Sequence, residues 1–138
     1  MKRLALLPVL LVTACGTALT PAALAPSMGE VFAGLYVQQQ TQQGRTDVAM
    51  TALHATAACR RTGPSPDGPG EDWTCTVQYV DGTTTATQLF EVQVKPDGCW
   101  KADAPAVTQP AQLTDATTGL PQTNPLAEFD GCLDTSWH

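Results

Sequence analysis

Cysteine chemistry is the best-defined chemistry that the residues of this chain can carry. The 138 residues include five cysteines. Four of them form an even set in the body of the chain: Cys59, Cys75, Cys99 and Cys132. A zinc site needs closely spaced cysteine pairs, whereas neighbouring members of this set lie at least 16 positions apart. Outside the reducing cytosol, such a set predicts two structural disulfides with three alternative connectivities.

The fifth cysteine, Cys15, ends an apolar N-terminal segment. Lys2 and Arg3 precede an apolar run over residues 4–12, and Leu-Val-Thr-Ala stands directly before the cysteine. This arrangement resembles the leader and lipobox of a bacterial lipoprotein. The resemblance implies removal of residues 1–14, a lipid on the Cys15 thiol, and attachment to the extracytoplasmic face of the cell membrane. An ordinary secretory leader with an incidental cysteine is the alternative interpretation.

The net charge of the chain excludes some classes of binding partner. The formal net charge is −6 at pH 7, and removal of Lys2 and Arg3 with the leader would leave five basic residues against 13 acidic ones. A surface of that sign repels the phosphates of nucleic acids and of anionic lipids. We therefore expect no nucleic-acid role. We expect the lipid on Cys15 to supply the membrane contact, because no later segment is long and apolar enough to span a bilayer.

Few other residues have the spacing that catalysis needs. His54 is the single histidine besides the C-terminal His138, and imidazole chemistry needs a neighbouring group that orients the ring. No serine stands in a Gly-x-Ser-x-Gly motif. The adjacent Glu71 and Asp72 are typical of a solvated loop pair, whereas glycoside hydrolysis needs two carboxyl groups facing each other across a cleft. We predict no catalytic, cofactor-binding or metal-binding residue, and therefore a protein that is not an enzyme.

The N-terminal part of the mature chain is expected to contain a tether and a helix. After the cysteine, residues 15–27 are uncharged and rich in Thr, Pro, Ala and Leu, which is typical of a tether between lipid and domain. Ser27 and Glu30 have the spacing of a capping box, and apolar residues then recur at helical spacing. The pattern predicts a helix over residues 28–43. We expect its glutamine-rich end, residues 38–43, to be a solvated last turn.

The middle of the chain alternates between apolar and polar residues, as half-buried strands do. The strands that this alternation and the turn Pro96-Asp97-Gly98 predict are 73–79, 90–94 and 99–102. Segment 47–61 fits a helix by its alanine content and a strand by its alternation, and we assign it to a strand. The proline- and glycine-rich residues 63–70 predict an exposed loop, and residues 113–120 predict a short hairpin.

These elements predict the α+β fold class. An amphipathic helix and a one-sided sheet can each bury an apolar face only against another element. We expect one N-terminal helix packed on a small antiparallel sheet of three to five strands, in a single domain over residues 28–138 with a disulfide-pinned C-terminal tail. Trp73 and Trp100 are each close to a cysteine, and we expect them to pack in the core rather than to stack on a ligand.

The position of the cysteines relative to the predicted strands narrows their pairing. Cys59 and Cys75 bracket the proline-rich loop and lead into neighbouring strands, which predicts a Cys59–Cys75 disulfide. Cys99 is then the partner that remains for Cys132 in the tail. Each bridge is expected to stabilise the domain by about 2–4 kcal/mol, largely because it restricts the unfolded chain.

Two sequence segments resemble a known group of proteins. Asp-Gly-Cys-Trp-Lys-Ala at 97–102 and Asn-Pro-Leu-Ala-Glu-Phe-Asp-Gly-Cys at 124–132 are similar to small exported actinobacterial proteins with no assigned activity. In that group a Trp-x-Cys strand, a Gly-Cys-aromatic strand and a Phe-Asp-Gly-Cys element occur in this order. The resemblance covers roughly residues 52–135. It implies a disulfide-stapled exported domain and implies no activity.

Two functional hypotheses follow from these expectations. In the first, the protein is a non-catalytic envelope lipoprotein that binds another protein or a wall component. The solvent face of the sheet and an acidic loop at Glu71-Asp72 would form its polar recognition surface. The residues expected on that face are Thr74, Thr76, Gln78, Glu91 and Gln93. In the alternative, the protein is a small-ligand or lipid carrier with a pocket between helix and sheet, and the volume of a cavity there distinguishes the two.

Overall fold

One α-helix covers one face of a five-stranded antiparallel sheet in a computed structural model that describes residues 18–133. This arrangement confirms the expected α+β class and its antiparallel sheet of up to five strands. The helix and strands are α1 (Pro21–Gln42), β1 (Thr56–Arg61), β2 (Gly70–Asp81), β3 (Thr84–Val94), β4 (Cys99–Asp103), β5 (Gln112–Thr114), β6 (Pro121–Thr123) and β7 (Glu128–Cys132). The predicted leader and Cys15 lie outside the described residues, as do Trp137 and His138.

Helix α1 begins at Pro21, not at Met28 as the capping-box spacing predicted. Thr20 caps the helix, because its Oγ1 accepts a hydrogen bond from the Ala23 backbone N–H at 3.1 Å, and proline suits the first helical position. Ser27 therefore lies inside the helix, where its hydroxyl accepts a hydrogen bond from the Trp100 indole at 3.0 Å. Residues 21–27, which were expected to belong to the tether, are helical.

The large sheet has the strand order β1-β2-β3-β4-β7. The predicted three-stranded meander, β2-β3-β4, forms its centre, and β1 and β7 form its edges. The strand assignment for residues 47–61 is correct only from Thr56 onward, because Met50–Leu53 is a 3-10 turn. His54 follows this turn in the left-handed conformation, with φ 46°, so it reverses the chain direction before β1 begins. The predicted hairpin over residues 113–120 is the separate two-stranded sheet β5-β6.

The core lies between α1 and the inner face of the large sheet. Met28 and Phe32 of α1 are fully buried against β2 and β3, where Phe32 and Phe90 pack with ring centroids 6.0 Å apart. Burial of each such side chain contributes about 1.5–3 kcal/mol. Trp73 and Trp100 are both 1% exposed, which confirms their expected place in the core. Side chains therefore fill the core between α1 and the central strands β2 and β3.

Both predicted disulfides are present, and each joins directly opposed residues of neighbouring strands. Cys59 in β1 bonds to Cys75 in β2, and Cys99 in β4 bonds to Cys132 in β7. Each bond therefore fastens one edge strand of the sheet to its inner neighbour. An edge strand is otherwise held by hydrogen bonds on one side alone, so these covalent bonds prevent either edge from separating.

The two disulfides lie on opposite faces of the sheet. Cys75 is fully buried on the face under α1, whereas Cys132 is exposed and points away from it. Gly131 alternates with Cys132 and faces the core, where a Cβ atom would meet Trp100 Cζ2 at 2.5 Å. The glycine of the Phe-Asp-Gly-Cys element is thus required because the Trp100 indole lies directly against β7.

This difference in exposure predicts the order in which the disulfides are reduced. Thiol–disulfide exchange requires access of the attacking thiolate to a sulfur atom. Under native conditions with limiting dithiothreitol, we expect Cys99–Cys132 to be reduced first and Cys59–Cys75 to persist. Timed alkylation followed by peptide mapping measures this order. The double variant Cys99→Ala/Cys132→Ala should lose about 2–4 kcal/mol of unfolding free energy, and prior reduction of Cys59–Cys75 in the parent protein would contradict the arrangement.

Candidate functional site

An open apolar groove lies where α1 passes the start of β1. Its volume is about 570 Å³, within the range of about 300–1,000 Å³ that is usual for ligand sites. One wall is formed by the helix face that carries Ala22, Ala25, Pro26, Gly29, Glu30 and Ala33. The 3-10 turn and the first residues of β1 form the other wall, which includes Met50, Thr51 and His54. We call this feature the α1–β1 groove.

Small side chains at helical spacing create the α1–β1 groove. Ala22, Ala25, Gly29 and Ala33 lie on one face of α1 because three or four residues separate each from the next. At Gly29 a Cβ atom would stand 3.4 Å from the carbonyl oxygen of Ala55, so the helix approaches the backbone before β1 closely. Between the helix and the turn the short side chains leave space unfilled. The groove is therefore a consequence of alanine and glycine on a helix face that packs at the sheet edge.

Two ionisable side chains stand at the rim of the groove. Glu30 and His54 are both exposed, and neither makes a side-chain hydrogen bond or an ion pair within residues 18–133. Imidazole catalysis needs a partner that orients the ring. Histidine adopts the left-handed backbone conformation more readily than most residues. At His54 this conformation reverses the direction of the chain. The rim can thus supply polar contacts to a ligand that occupies an apolar floor.

The outer face of the sheet is polar, as expected. Thr76, Gln78, Glu91 and Gln93 are exposed on it, and Thr74 is half-buried. The acidic loop that was expected beside this face is absent from the described part of the chain, because the adjacent carboxylates begin strand β2.

Asp72, one of these two carboxylates, forms an ion pair instead of facing solvent freely. Its Oδ1 accepts a hydrogen bond from Arg61 Nε at 2.8 Å, and this hydrogen bond holds the pKa of the carboxyl below its usual range. Sequence reasoning missed the pair because strand β2 starts earlier than the alternation indicated. The prediction that Glu71 and Asp72 lie in a loop is therefore wrong, and Asp72 helps to hold β1 beside β2.

Three carboxylates cross the outer face of the sheet in one row. The strand register places Glu91 of β3 opposite Asp103 of β4, and Asp103 opposite Glu128 of β7. Like charges in opposed positions destabilise a sheet, and Lys101 relieves part of this repulsion through a 2.8 Å ion pair with Glu128. No group of three potential metal ligands is close enough to bind an ion within residues 18–133. This row forms an acidic patch on the outer face of the sheet.

A tyrosine, an aspartate and an arginine join the end of α1 to the turn between β2 and β3. The Tyr36 hydroxyl donates to Asp81 Oδ2 at 2.5 Å, and the Arg45 guanidinium donates to both carboxylate oxygens at 2.6 and 2.8 Å. These hydrogen bonds, first from Arg45 and then from Tyr36, lower the pKa of Asp81 to about 2. Burial, and then donation to Asp81, raise the pKa of Tyr36 above its usual range, so the phenol stays protonated and serves as a structural donor.

The Asp81 cluster predicts a specific loss of stability in acid. The folded pKa of about 2 lies below the unfolded value of about 3.9. The stabilisation from ionised Asp81 is thus fully present above about pH 4, and it is lost as pH falls toward the folded pKa. At pH 7 the Asp81→Asn variant should unfold at a lower urea concentration than the parent protein, and this difference should shrink between about pH 4 and pH 2.

The matched control for this measurement is Glu30→Gln, which removes an exposed carboxylate that makes no ion pair within residues 18–133. Its urea midpoint should stay close to that of the parent protein at pH 7. A difference between Asp81→Asn and the parent protein that remains constant down to pH 2 would contradict the assignment of the acid-sensitive contact to Asp81.

Gln39 and Gln40 in the glutamine-rich end of α1 are buried, whereas Gln38, Thr41 and Gln43 are exposed, so the expectation of a solvated turn is correct only in part. Gln39 is 6% exposed, and its Nε2 donates to Gln109 Oε1 at 2.8 Å and to Asn124 Oδ1 at 3.0 Å. Gln40 donates to Gln39 and accepts from Arg45. The partners come from loops far along the chain, so local sequence carried no signal for them. This amide network holds the segment between β4 and β7 against the helix.

Comparison with known proteins identifies no relative, so a function has to be inferred from the fold and the α1–β1 groove. No protein-family model, curated protein or solved structure significantly matches the chain. Within residues 18–133, no helix has the length and the apolar character that crossing a membrane requires.

Proposed function

We propose that the protein is a non-catalytic lipoprotein of the bacterial cell envelope, attached through a lipid on Cys15, and that it acts by binding. The α1–β1 groove is the observation that supports a binding role. Its floor is apolar and open to solvent, and its rim carries Glu30 and His54 without partners in the described residues. Binding sites commonly combine an apolar lining with a few polar groups.

The preferred occupant of the groove is an apolar segment of a partner protein. A small-molecule carrier usually buries 70–90% or more of its ligand. The core under α1 is filled by side chains such as Phe32 and Phe90, both 0% exposed, and the α1–β1 groove is open to solvent, so it would not enclose such a ligand. An open groove is better suited to a segment of a partner protein, because the rest of that partner covers the side of the segment that faces away from the groove. The small-ligand or lipid carrier is the second candidate, and the groove is the place where such a ligand would bind.

The membrane attachment predicts a defined effect of removing the Cys15 thiol. Lipidation of a lipobox cysteine inserts long acyl chains, each contributing about 0.8 kcal/mol per buried CH₂. Cys15→Ser should therefore lose metabolic palmitate label and accumulate as an uncleaved precursor. Label incorporation and electrophoretic mobility in a host with lipoprotein processing measure both effects. The control Thr17→Ser leaves the cysteine intact and should be labelled normally, and equal labelling of Cys15→Ser would contradict the proposal.

The proposed use of the groove predicts position-specific crosslinking in cells. A photo-crosslinking residue at Thr51, which is exposed in the wall of the groove, should give a discrete adduct with a partner protein. The same residue at Thr83, in the exposed turn between β2 and β3, is the matched control and should not give that adduct. Adding Ala22→Trp should abolish the adduct, because the indole would occupy the apolar floor.

The outcomes of this experiment separate the two candidate functions. Thr41→Trp places the same indole on an exposed helix position outside the groove, and it should leave the Thr51 adduct unchanged. An adduct of low mass identified as a lipid or other small molecule would favour the carrier. No adduct at Thr51, or the same adducts at Thr51 and Thr83, would exclude the groove as the binding site.

A further inference from the structure

The chain enters the domain at one end of the sheet, and it is held there. The Leu19 carbonyl oxygen accepts a hydrogen bond from the Gly68 backbone N–H at 2.7 Å. The Leu19 side chain also lies at the turn before β4, since a Cβ atom on Gly98 would be 3.9 Å from its Cδ2. Leu19 thus lies between the proline-rich loop, residues 63–69, and the turn formed by residues 95–98. We call these two segments together the entry end of the domain.

The proline-rich loop at the entry end is fixed by side chains of the domain. Arg61 Nη1 donates to the Asp67 carbonyl at 2.6 Å, and Trp73 Nε1 donates to the Gly68 carbonyl at 3.0 Å. Trp73 is 1% exposed, so one of these donors belongs to the core. The loop is therefore a defined surface and can make contacts with a fixed geometry.

The distance from the lipid site to the entry end is short. A chain spans at most about 3.3–3.6 Å per residue, so Leu19 lies within about 14 Å of Cys15 whatever conformation the intervening chain takes. By contrast, β2 has 12 residues, and at about 3.3 Å per residue its two ends are about 36 Å apart. The turn between β2 and β3 is at the far end of this strand. A lipid on Cys15 therefore brings the entry end, and not the opposite end, to the bilayer surface.

We propose that the lipidated protein stands end-on on the bilayer, with the entry end against the lipid headgroups and the β2–β3 turn directed away from the membrane. This orientation rests on the lipidation of Cys15 proposed above. The segment expected to act as a tether is helical from Pro21 onward, so little chain remains to lift the domain off the surface. The domain is held by its connection instead of moving freely above the membrane.

The chemistry of the entry end suits contact with zwitterionic headgroups and not with the hydrocarbon core. Its exposed residues are polar, charged or proline, as at Ser65, Asp67 and Asp97. The large apolar side chains that are exposed in the described residues, Met50, Leu89, Val107 and Leu120, all belong to other segments. The first residues of β1 that line the α1–β1 groove pair with Val77 and Gln78, which lie closer to the β2–β3 turn than to the entry end.

Distance-dependent quenching tests this orientation. The full-length lipidated protein is reconstituted into phosphatidylcholine vesicles that contain a headgroup-labelled quencher lipid. A fluorescent amino acid is placed either at Ser65, on the entry end, or at Thr83, in the distant turn, both of which are exposed. We expect several-fold stronger quenching at Ser65 than at Thr83. Equal quenching at both positions, or stronger quenching at Thr83, would overturn the orientation.

Two controls separate the orientation from the attachment. Flotation with the vesicles reports attachment independently, so a protein that floats but shows equal quenching refutes only the orientation. If the full-length protein with Cys15 intact carries no lipid and does not float with the vesicles, this result refutes the proposed function and the orientation together. Insertion of about 30 Gly/Ser residues after Gly16 adds a root-mean-square reach of about 30 Å. The insertion should reduce the difference between Ser65 and Thr83, and an unchanged difference would show that the short connection does not set the orientation.

Discussion

Burial of the sheet's inner face under α1 is the interaction on which the rest of this structure depends. Met28 and Phe32 meet the core residues of β2 and β3, and neither layer could remain folded in water with its apolar face uncovered. The helix begins at Pro21 because Thr20 provides the cap and Leu24 then reaches the core at 2% exposure. The same helix presents small residues toward the start of β1. One face of α1 therefore packs in the core, and another face lines the α1–β1 groove.

The sheet edges and the C-terminal segment are secured by different means. Disulfides fasten β1 to β2 and β4 to β7, where an edge strand has hydrogen-bond partners on one side alone. The segment between β4 and β7 has little regular structure, and buried amides attach it to the end of α1, with Asn124 at 1% exposure. Buried amides are costly unless they are paired. This network therefore holds the segment in one position, because the buried amides would lose their hydrogen-bond partners in any other position.

The groove and the entry end are linked by the direction of α1. The helix starts beside the loop that Arg61 and Trp73 hold in place, and the groove runs along its first turns. With the proposed lipid on Cys15, the attachment point lies a few residues before Thr20 and determines which end of the domain meets the membrane.

The sequence by itself determined the fold class, the central meander and both disulfides. The period-two alternation of the strands and the positions of the cysteines relative to those strands can both be read from the local sequence. It also indicated that Trp73 and Trp100 belong to the core. Tertiary structure alone decided the burial of Gln39, the Arg61–Asp72 pair and the Tyr36–Asp81–Arg45 cluster. Each of these depends on groups brought together from different elements. The groove was likewise invisible in the sequence, because alanine and glycine on a helix face signal close packing or unfilled space equally, and only the position of the neighbouring strand distinguishes the two.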